Sequence, residues 1–182
     1  LEYIDLYLHH WPVPGNAIES WKVMEELHES GLIRALGVSN YLEMHLEKLI
    51  KHTDIPPVLN QIEFNPFLFR KDLMKYCKSH NIRVEAYTPI ARAEKLGNPV
   101  IKSIAHAHNK TEAQIILRWQ IQHGIIPIPF SSNPLHIQQN IRIFDFVLTG
   151  EEMKKLNALD EAYFHENFIP DWYPGLNYWQ DL

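Results

Sequence analysis

Five short apolar segments, each followed by residues with helical spacing, constrain this chain more than any other feature. The first is residues 1–8, where Ile4, Leu6 and Leu8 alternate with Tyr3, Asp5 and Tyr7, the period of a strand. His10-Trp11-Pro12 ends it, because proline removes an amide donor and biases its predecessor away from helix. Ile18, Trp21, Met24 and Leu27 then share one helical stripe, and Gly31 is placed to cap it. Further strands are expected over residues 33–38, 58–64, 82–88 and 125–130.

The helices between them read as clearly. Leu46, Leu49 and Ile50 form one stripe, and Leu73, Tyr76 and Cys77 form another over residues 71–80. Residues 100–107 form a short helix. Thr111 and Gln114 make a capping-box pair for the helix carrying Ala113, Ile116, Leu117 and Gln120, which Gly124 terminates. Asn133-Pro134 is a cap followed by a first-turn proline, and Thr149 with Glu152 is a second capping box before residues 153–159. Strands alternating with helices of this length imply an α/β fold on a parallel sheet. No linker divides the chain, so residues 1–182 are expected to form a single domain, with an aromatic, loop-like tail over residues 161–182.

Charge and composition remove several functions. The net charge is −5, from 17 basic and 22 acidic residues, and no basic block is present to hold nucleic acid. No apolar run approaches the ~20 residues of a membrane span. The single Cys77 excludes an internal disulfide and suits a reducing, cytoplasmic compartment. Neither a nucleophile elbow, a P-loop nor a Gly-rich dinucleotide fingerprint occurs. The 11 histidines lack a matching carboxylate or cysteine cluster, so no metal site is expected. His28, His45, His52, His80, His106, His108 and His123 lie on helices and are expected to face solvent.

In parallel α/β folds chemistry collects at the C-terminal strand ends. Here those ends carry His10-Trp11, Ser39-Asn40, Gln61 to Asn65, Tyr87-Thr88 and Phe130-Ser131-Ser132. Five such groups in register make a binding rim.

The same segments carry a family resemblance. Residues 1–12 end on His10-Trp11-Pro12, and residues 31–41 end on Gly37-Val38-Ser39-Asn40-Tyr41. Residues 60–66, 85–91, 111–119 and 140–149 follow in the same order. Together they resemble the aldo-keto reductases along essentially the whole chain. The resemblance implies a (β/α)8 TIM barrel, of which this chain holds about strands 4–8 with their helices. It implies hydride transfer from NADP(H) to a small-molecule aldehyde or ketone, with a tyrosine acid tuned by a lysine and an aspartate. A histidine orients the carbonyl. Only the histidine maps onto this sequence, as His10 rather than His9. The other three are expected on earlier strands. A complete barrel usually takes ~250 residues, and the 182 here open on Leu1 inside an apolar stretch. The chain is therefore expected to be a fragment, the C-terminal portion of such a barrel, inactive alone.

The cofactor side of the resemblance is fuller. Ser39, Asn40 and Gln61 match positions that bond the nicotinamide carboxamide, and Tyr87 matches the residue stacked on its ring. Thr88, Ile90 and Arg92 follow along the pyrophosphate, and Trp11 walls the substrate pocket. At the adenosine end Ser131, Gln139 and Asn140 are retained. Phe130 stands where a lysine is usual and His136 where an arginine is usual. Phenylalanine brings neither charge nor donor to a 2′-phosphate, so the NADP(H) preference is expected to weaken, toward NAD(H). The tail carries Phe168, Trp172, Tyr173, Tyr178 and Trp179, suited to a substrate loop. Two other readings stand beside this one. One is a non-catalytic, aldo-keto-reductase-like nucleotide-binding or scaffold protein. The other is a half-barrel whose open edges are covered by another copy.

Overall fold

The computed structural model describes residues 2–164. Strands and helices alternate in the order β1 (Tyr7–His9), α1 (Ala17–Glu29), β2 (Leu36–Ser39), α2 (Glu43–His52), β3 (Leu59–Glu63), α3 (Lys71–Ser79) and β4 (Arg83–Tyr87). Then come α4 (Pro99–His108), α5 (Glu112–Gln122), β5 (Ile126–Pro127), α6 (Pro134–Ile141) and α7 (Gly150–Asn157). The strands form one parallel sheet in chain order, β1-β2-β3-β4-β5. Its register sets Ser39 level with Gln61, Gln61 with Glu85, and Glu85 with Ile126. All C-terminal strand ends therefore meet at one rim.

Local chemistry explains the breaks. Gly31 takes a left-handed φ of 80° just after α1, and the Leu32 amide donates back to the Leu27 carbonyl at 3.1 Å. Both capping boxes form: Thr111 accepts from the Gln114 amide, and Thr149 from the Glu152 amide. The core lies between the sheet and the helices. Trp21, Leu46, Leu49, Ile62, Ile101, Ile115 and Ile116 are almost completely buried there. Polar parts of the large rings are satisfied: Trp21 Nε1 donates to the Ile55 carbonyl at 2.9 Å and Trp119 Nε1 to Asn157 at 2.7 Å.

Both edge strands are shorter than the sequence pattern predicts. Residues 1–8 read as a strand, but β1 is Tyr7–His9, and Ile4 contributes only an isolated bridge to Ile33. The expected strand over residues 125–130 shrinks to Ile126–Pro127. Pro127 and Pro129 have no amide to donate to a ladder. Apolar alternation registers side-chain chemistry but not whether a neighbouring strand exists. The central strands agree to within a few residues at each end.

The histidines also need correction. His52, His80 and His106 are exposed, as expected, but His28, His45, His108 and His123 are partly buried and bonded. His108 pairs with Glu152 at 2.9 Å, for example. Imidazole is amphipathic, so a helical stripe accommodates it on either side. The aromatic tail residues Phe168, Trp172, Tyr173, Tyr178 and Trp179 lie outside the described residues.

Candidate active site

Asn40 organises the rim. It follows β2 with a left-handed φ of 63°, a conformation asparagine tolerates better than most residues. Its Nδ2 donates to the His10 carbonyl and to the Ser39 hydroxyl, each at 3.1 Å. Its Oδ1 accepts from the Tyr87 hydroxyl at 2.9 Å. The Asn40 amide and the Ser39 hydroxyl both donate to the Gln61 carbonyl at 2.9 Å. One buried side chain thus ties together the ends of β1, β2 and β4, and the adjoining backbone adds β3. Low local dielectric strengthens each bond and raises the cost of breaking one.

Five of the sequence-expected residues, His10, Ser39, Asn40, Gln61 and Tyr87, are brought together in this way. Gln61 also donates to the Glu85 carboxylate at 2.5 Å, while its Oε1 has no protein partner among the described residues. A primary amide needs both a donor and an acceptor, and the Gln61 side chain offers both, its Oε1 and the second hydrogen of its Nε2. The donor set fits a nicotinamide carboxamide.

The two adjacent histidines have separate roles. His9 is half-buried, and its Nδ1 shares a 2.7 Å hydrogen bond with the Tyr41 hydroxyl. Burial, then the neighbouring His10, lowers its pKa. His10 is exposed, and its ring lies 5.9 Å from that of Trp11. Its backbone is fixed by Asn40, which leaves the imidazole at the rim.

Beyond β4 the chain turns through left-handed residues: Thr88 (φ 47°), Ala91 (47°), Arg92 (50°) and Ala93 (67°). Each such non-glycine residue costs roughly 1–2 kcal/mol, so something must hold the turn. Buried Gln120 contributes, donating to the Phe64 carbonyl at 2.6 Å and the Pro89 carbonyl at 3.0 Å. Thr88 and Ile90 are half-buried, and Arg92 is exposed on this turn. The segment after α7 also returns here: Tyr163 bonds Glu94 at 2.5 Å, and Lys95 pairs with Glu161 at 2.6 Å.

The β5–α6 shoulder is different. Phe130 is 90% exposed and His136 is exposed. Ser131 Oγ accepts from the Asn133 amide at 3.1 Å. Gln139 and Asn140 are half-buried, with the Gln139 carbonyl accepting from Gln114 at 3.0 Å.

Sequence reading missed the Tyr41–His9 bond and the structural roles of Glu85 and Gln120. The available signal was a polar residue inside an apolar element, as at Glu85 in β4 and Gln120 in α5. Among the described residues, no three His, Cys, Asp or Glu side chains gather as a metal site. No helix among them is long and apolar enough to cross a membrane.

The family model for the aldo/keto reductase family matches residues 1–161. The chain belongs to the aldo-keto reductases. It is 46% identical over 161 residues to a glyoxal reductase of Bacillus subtilis, covering 88% of this chain and 58% of the relative. It is 40% identical over 166 residues to a methylglyoxal reductase of Escherichia coli, covering 89% and 60%. A Bombyx mori aldo-keto reductase solved in complex with NADP superposes with a TM-score of 0.83 at 36% identity, covering 90% of this chain and 60% of that one. This aldo-keto reductase chain therefore spans about three-fifths of the length of these relatives. Its five-stranded parallel sheet is part of a (β/α)8 barrel.

Proposed function

We propose that the protein reduces small aldehydes or ketones to alcohols with a nicotinamide cofactor. The observation that carries this reading is the Asn40 network, which joins the ends of β1, β2 and β4 beside the exposed His10. A bound reduced nicotinamide supplies the hydride. Ser39, Asn40 and Gln61 would hold its carboxamide, and the Tyr87 ring would lie against the heterocycle. His10 donates a hydrogen bond to the substrate carbonyl oxygen, with its backbone braced by Asn40. Trp11 walls the pocket and excludes water. Thr88, Ile90 and Arg92 would line the pyrophosphate, with Arg92 supplying positive charge.

The names of the relatives support short dicarbonyls, of the glyoxal and methylglyoxal class, as first substrates. The anchoring of residues 161–163 beside the turn after β4 supports a substrate-loop role for residues 161–182. The tyrosine acid, lysine and aspartate of the family match no position in this sequence. Residues 1–182 by themselves, a single domain in this proposal, are accordingly expected to bind cofactor without turning over substrate. Turnover belongs to an assembly that also supplies those three groups. Buried, free Cys77 suits a reducing, cytoplasmic setting.

Structures of relatives bound to NADP or NADPH support NADP(H) as the cofactor. Exposed Phe130 and His136 support a weakened preference, toward NAD(H). Titrating both cofactors tests this. An NADPH preference of ~100-fold, equal to about 2.7 kcal/mol, overturns the weakening. The reaction itself is tested by cofactor oxidation with methylglyoxal in the intact polypeptide. His10→Ala should lower kcat about 100-fold, as removal of a donor to a developing oxyanion does. Cofactor binding with no turnover of any carbonyl in a chain bearing all four catalytic groups would overturn the reading.

A further inference from the structure

A cavity of about 410 Å³, lined by none of His10, Ser39, Asn40, Gln61 and Tyr87, separates the segment after β1 from α2. That volume lies within the ~300–1,000 Å³ of small-molecule sites. Its walls are mainly apolar, built by Pro12, Val13, Ile18, Met44 and Leu49. Nothing in the proposed reaction uses it.

The charges at its rim define what it accepts. Glu47 and Lys51 line the cavity but pair with each other at 2.8 Å, so they cancel. His45 bonds the Leu42 amide through Nδ1 at 3.1 Å. Burial, then the Lys48 charge, lowers its pKa to about 4, so it is neutral at physiological pH. Lys48 lines the same cavity as His45. Lys48 has no carboxylate partner among the described residues. An apolar cavity with one uncompensated positive charge at its mouth selects one negative charge on an apolar body.

We propose that this cavity binds an amphiphilic monocarboxylate, its carboxylate at Lys48 and its hydrocarbon against Pro12, Ile18 and Met44. The site reaches Tyr41, whose hydroxyl holds His9, the neighbour of His10. It is nevertheless distinct from the cofactor corner, and its test needs no catalysis.

Decanoate, below its micelle-forming concentration, is the probe, followed by titration calorimetry on the protein with and without NADPH. One saturable site per chain is expected, unaffected by NADPH. Decanol should bind at least tenfold more weakly, and Lys48→Glu should weaken decanoate at least tenfold. Because Lys48 is exposed, that substitution leaves the core intact. Met44→Trp should fill the cavity and abolish binding; if it fails to fold, the Lys48→Glu result decides. The proposal is overturned by absent saturable binding, by equal affinity of decanol or of Lys48→Glu, or by displacement with NADPH.

Discussion

The ends of β2 and β5 open onto the same rim but are built on opposite plans. At the end of β2, Asn40 is 4% exposed, and its side-chain nitrogen and oxygen are both bonded to groups from other strand ends. At the end of β5, Phe130 is 90% exposed, and the α6 that follows buries no residue. The difference follows from position. β2 has a strand on each side, so its end can be braced from both. Among the described residues β5 pairs with β4 alone, through Glu85–Ile126, Ala86–Pro127 and the Ile128 amide on the Ala86 carbonyl. The braced end can fix the orientation of a small flat group, whereas the open end can change its side chains at little cost to the fold.

The sharpest way to break this contrast is Asn40→Ala. It removes three side-chain hydrogen bonds and puts alanine at a φ of 63°. The expected loss is about 3–4 kcal/mol of stability by urea denaturation. Asn40→Gly should recover about 1 kcal/mol of that by relieving the backbone. A loss below about 1 kcal/mol for the alanine variant would mean that the network is not a brace.

Close strand approach gives a second measure. A Cβ at Gly37 in β2 would meet Leu8 Cδ2 at 2.5 Å and the Leu59 carbonyl at 3.0 Å. The leucine methyl can rotate away but the carbonyl cannot, so Gly37→Ala should cost about 2–3 kcal/mol. Gly97, in the loop before α4, has nothing within 4 Å of such a Cβ. Gly97→Ala should stay within about 0.5 kcal/mol. Equal effects at the two positions would erase the distinction between braced and open segments.

Much of this fold was legible because two periods, 2 and 3.6, alternate along the chain. Central strands such as β3 and β4 followed from that pattern, since their apolar residues Leu59, Ile62, Val84 and Ala86 are buried. The edge strands did not: Leu6 and Phe130 are as apolar as core residues, yet among the described residues they stay 36% and 90% exposed. At the rim, the motifs singled out Ser39, Asn40, Gln61 and Tyr87, which the structure brings together. Their mutual bonds were not legible, because Asn40 reaches His10 across 30 residues and Tyr87 across 47. Such bonds depend on strand register, which local periodicity does not encode. The two histidines show the same limit. His9 and His10 are chemically identical, and only the placement of Tyr41 makes one a structural acceptor or donor and leaves the other at the rim.

The β1–β2–α2 corner should also be acid-sensitive. His45 titrates at about 4 in the folded chain, lowered by burial and then by Lys48, against 6.5 for an unperturbed histidine. Between those values the unfolded chain binds a proton that the folded chain refuses. Stability from this group is therefore complete above pH ~6.5 and falls as pH drops toward ~4. After a discount for partial solvent screening, the loss is about 2 kcal/mol. His9, also lowered, adds in the same direction. Urea midpoints measured across this window should slope, and His45→Gln should flatten the slope. An unchanged slope in that variant would place the acid sensitivity elsewhere.

The smallest effect on stability is expected at the open end, where function should respond instead. Phe130→Lys with His136→Arg places two cations on a shoulder that makes few internal contacts. Neither side chain is buried, so the unfolding free energy should move by less than about 0.5 kcal/mol. NADPH affinity should rise at least tenfold, since lysine and arginine form charge-assisted bonds to a phosphate that phenylalanine cannot form. NADH affinity should stay nearly constant, because that cofactor lacks the phosphate these residues would meet. The gain should shrink with added salt, as an exposed ion pair does. The contrast between the two strand ends requires both outcomes together: a rise in NADPH affinity accompanied by a stability change above about 2 kcal/mol would show that the β5 end is braced after all.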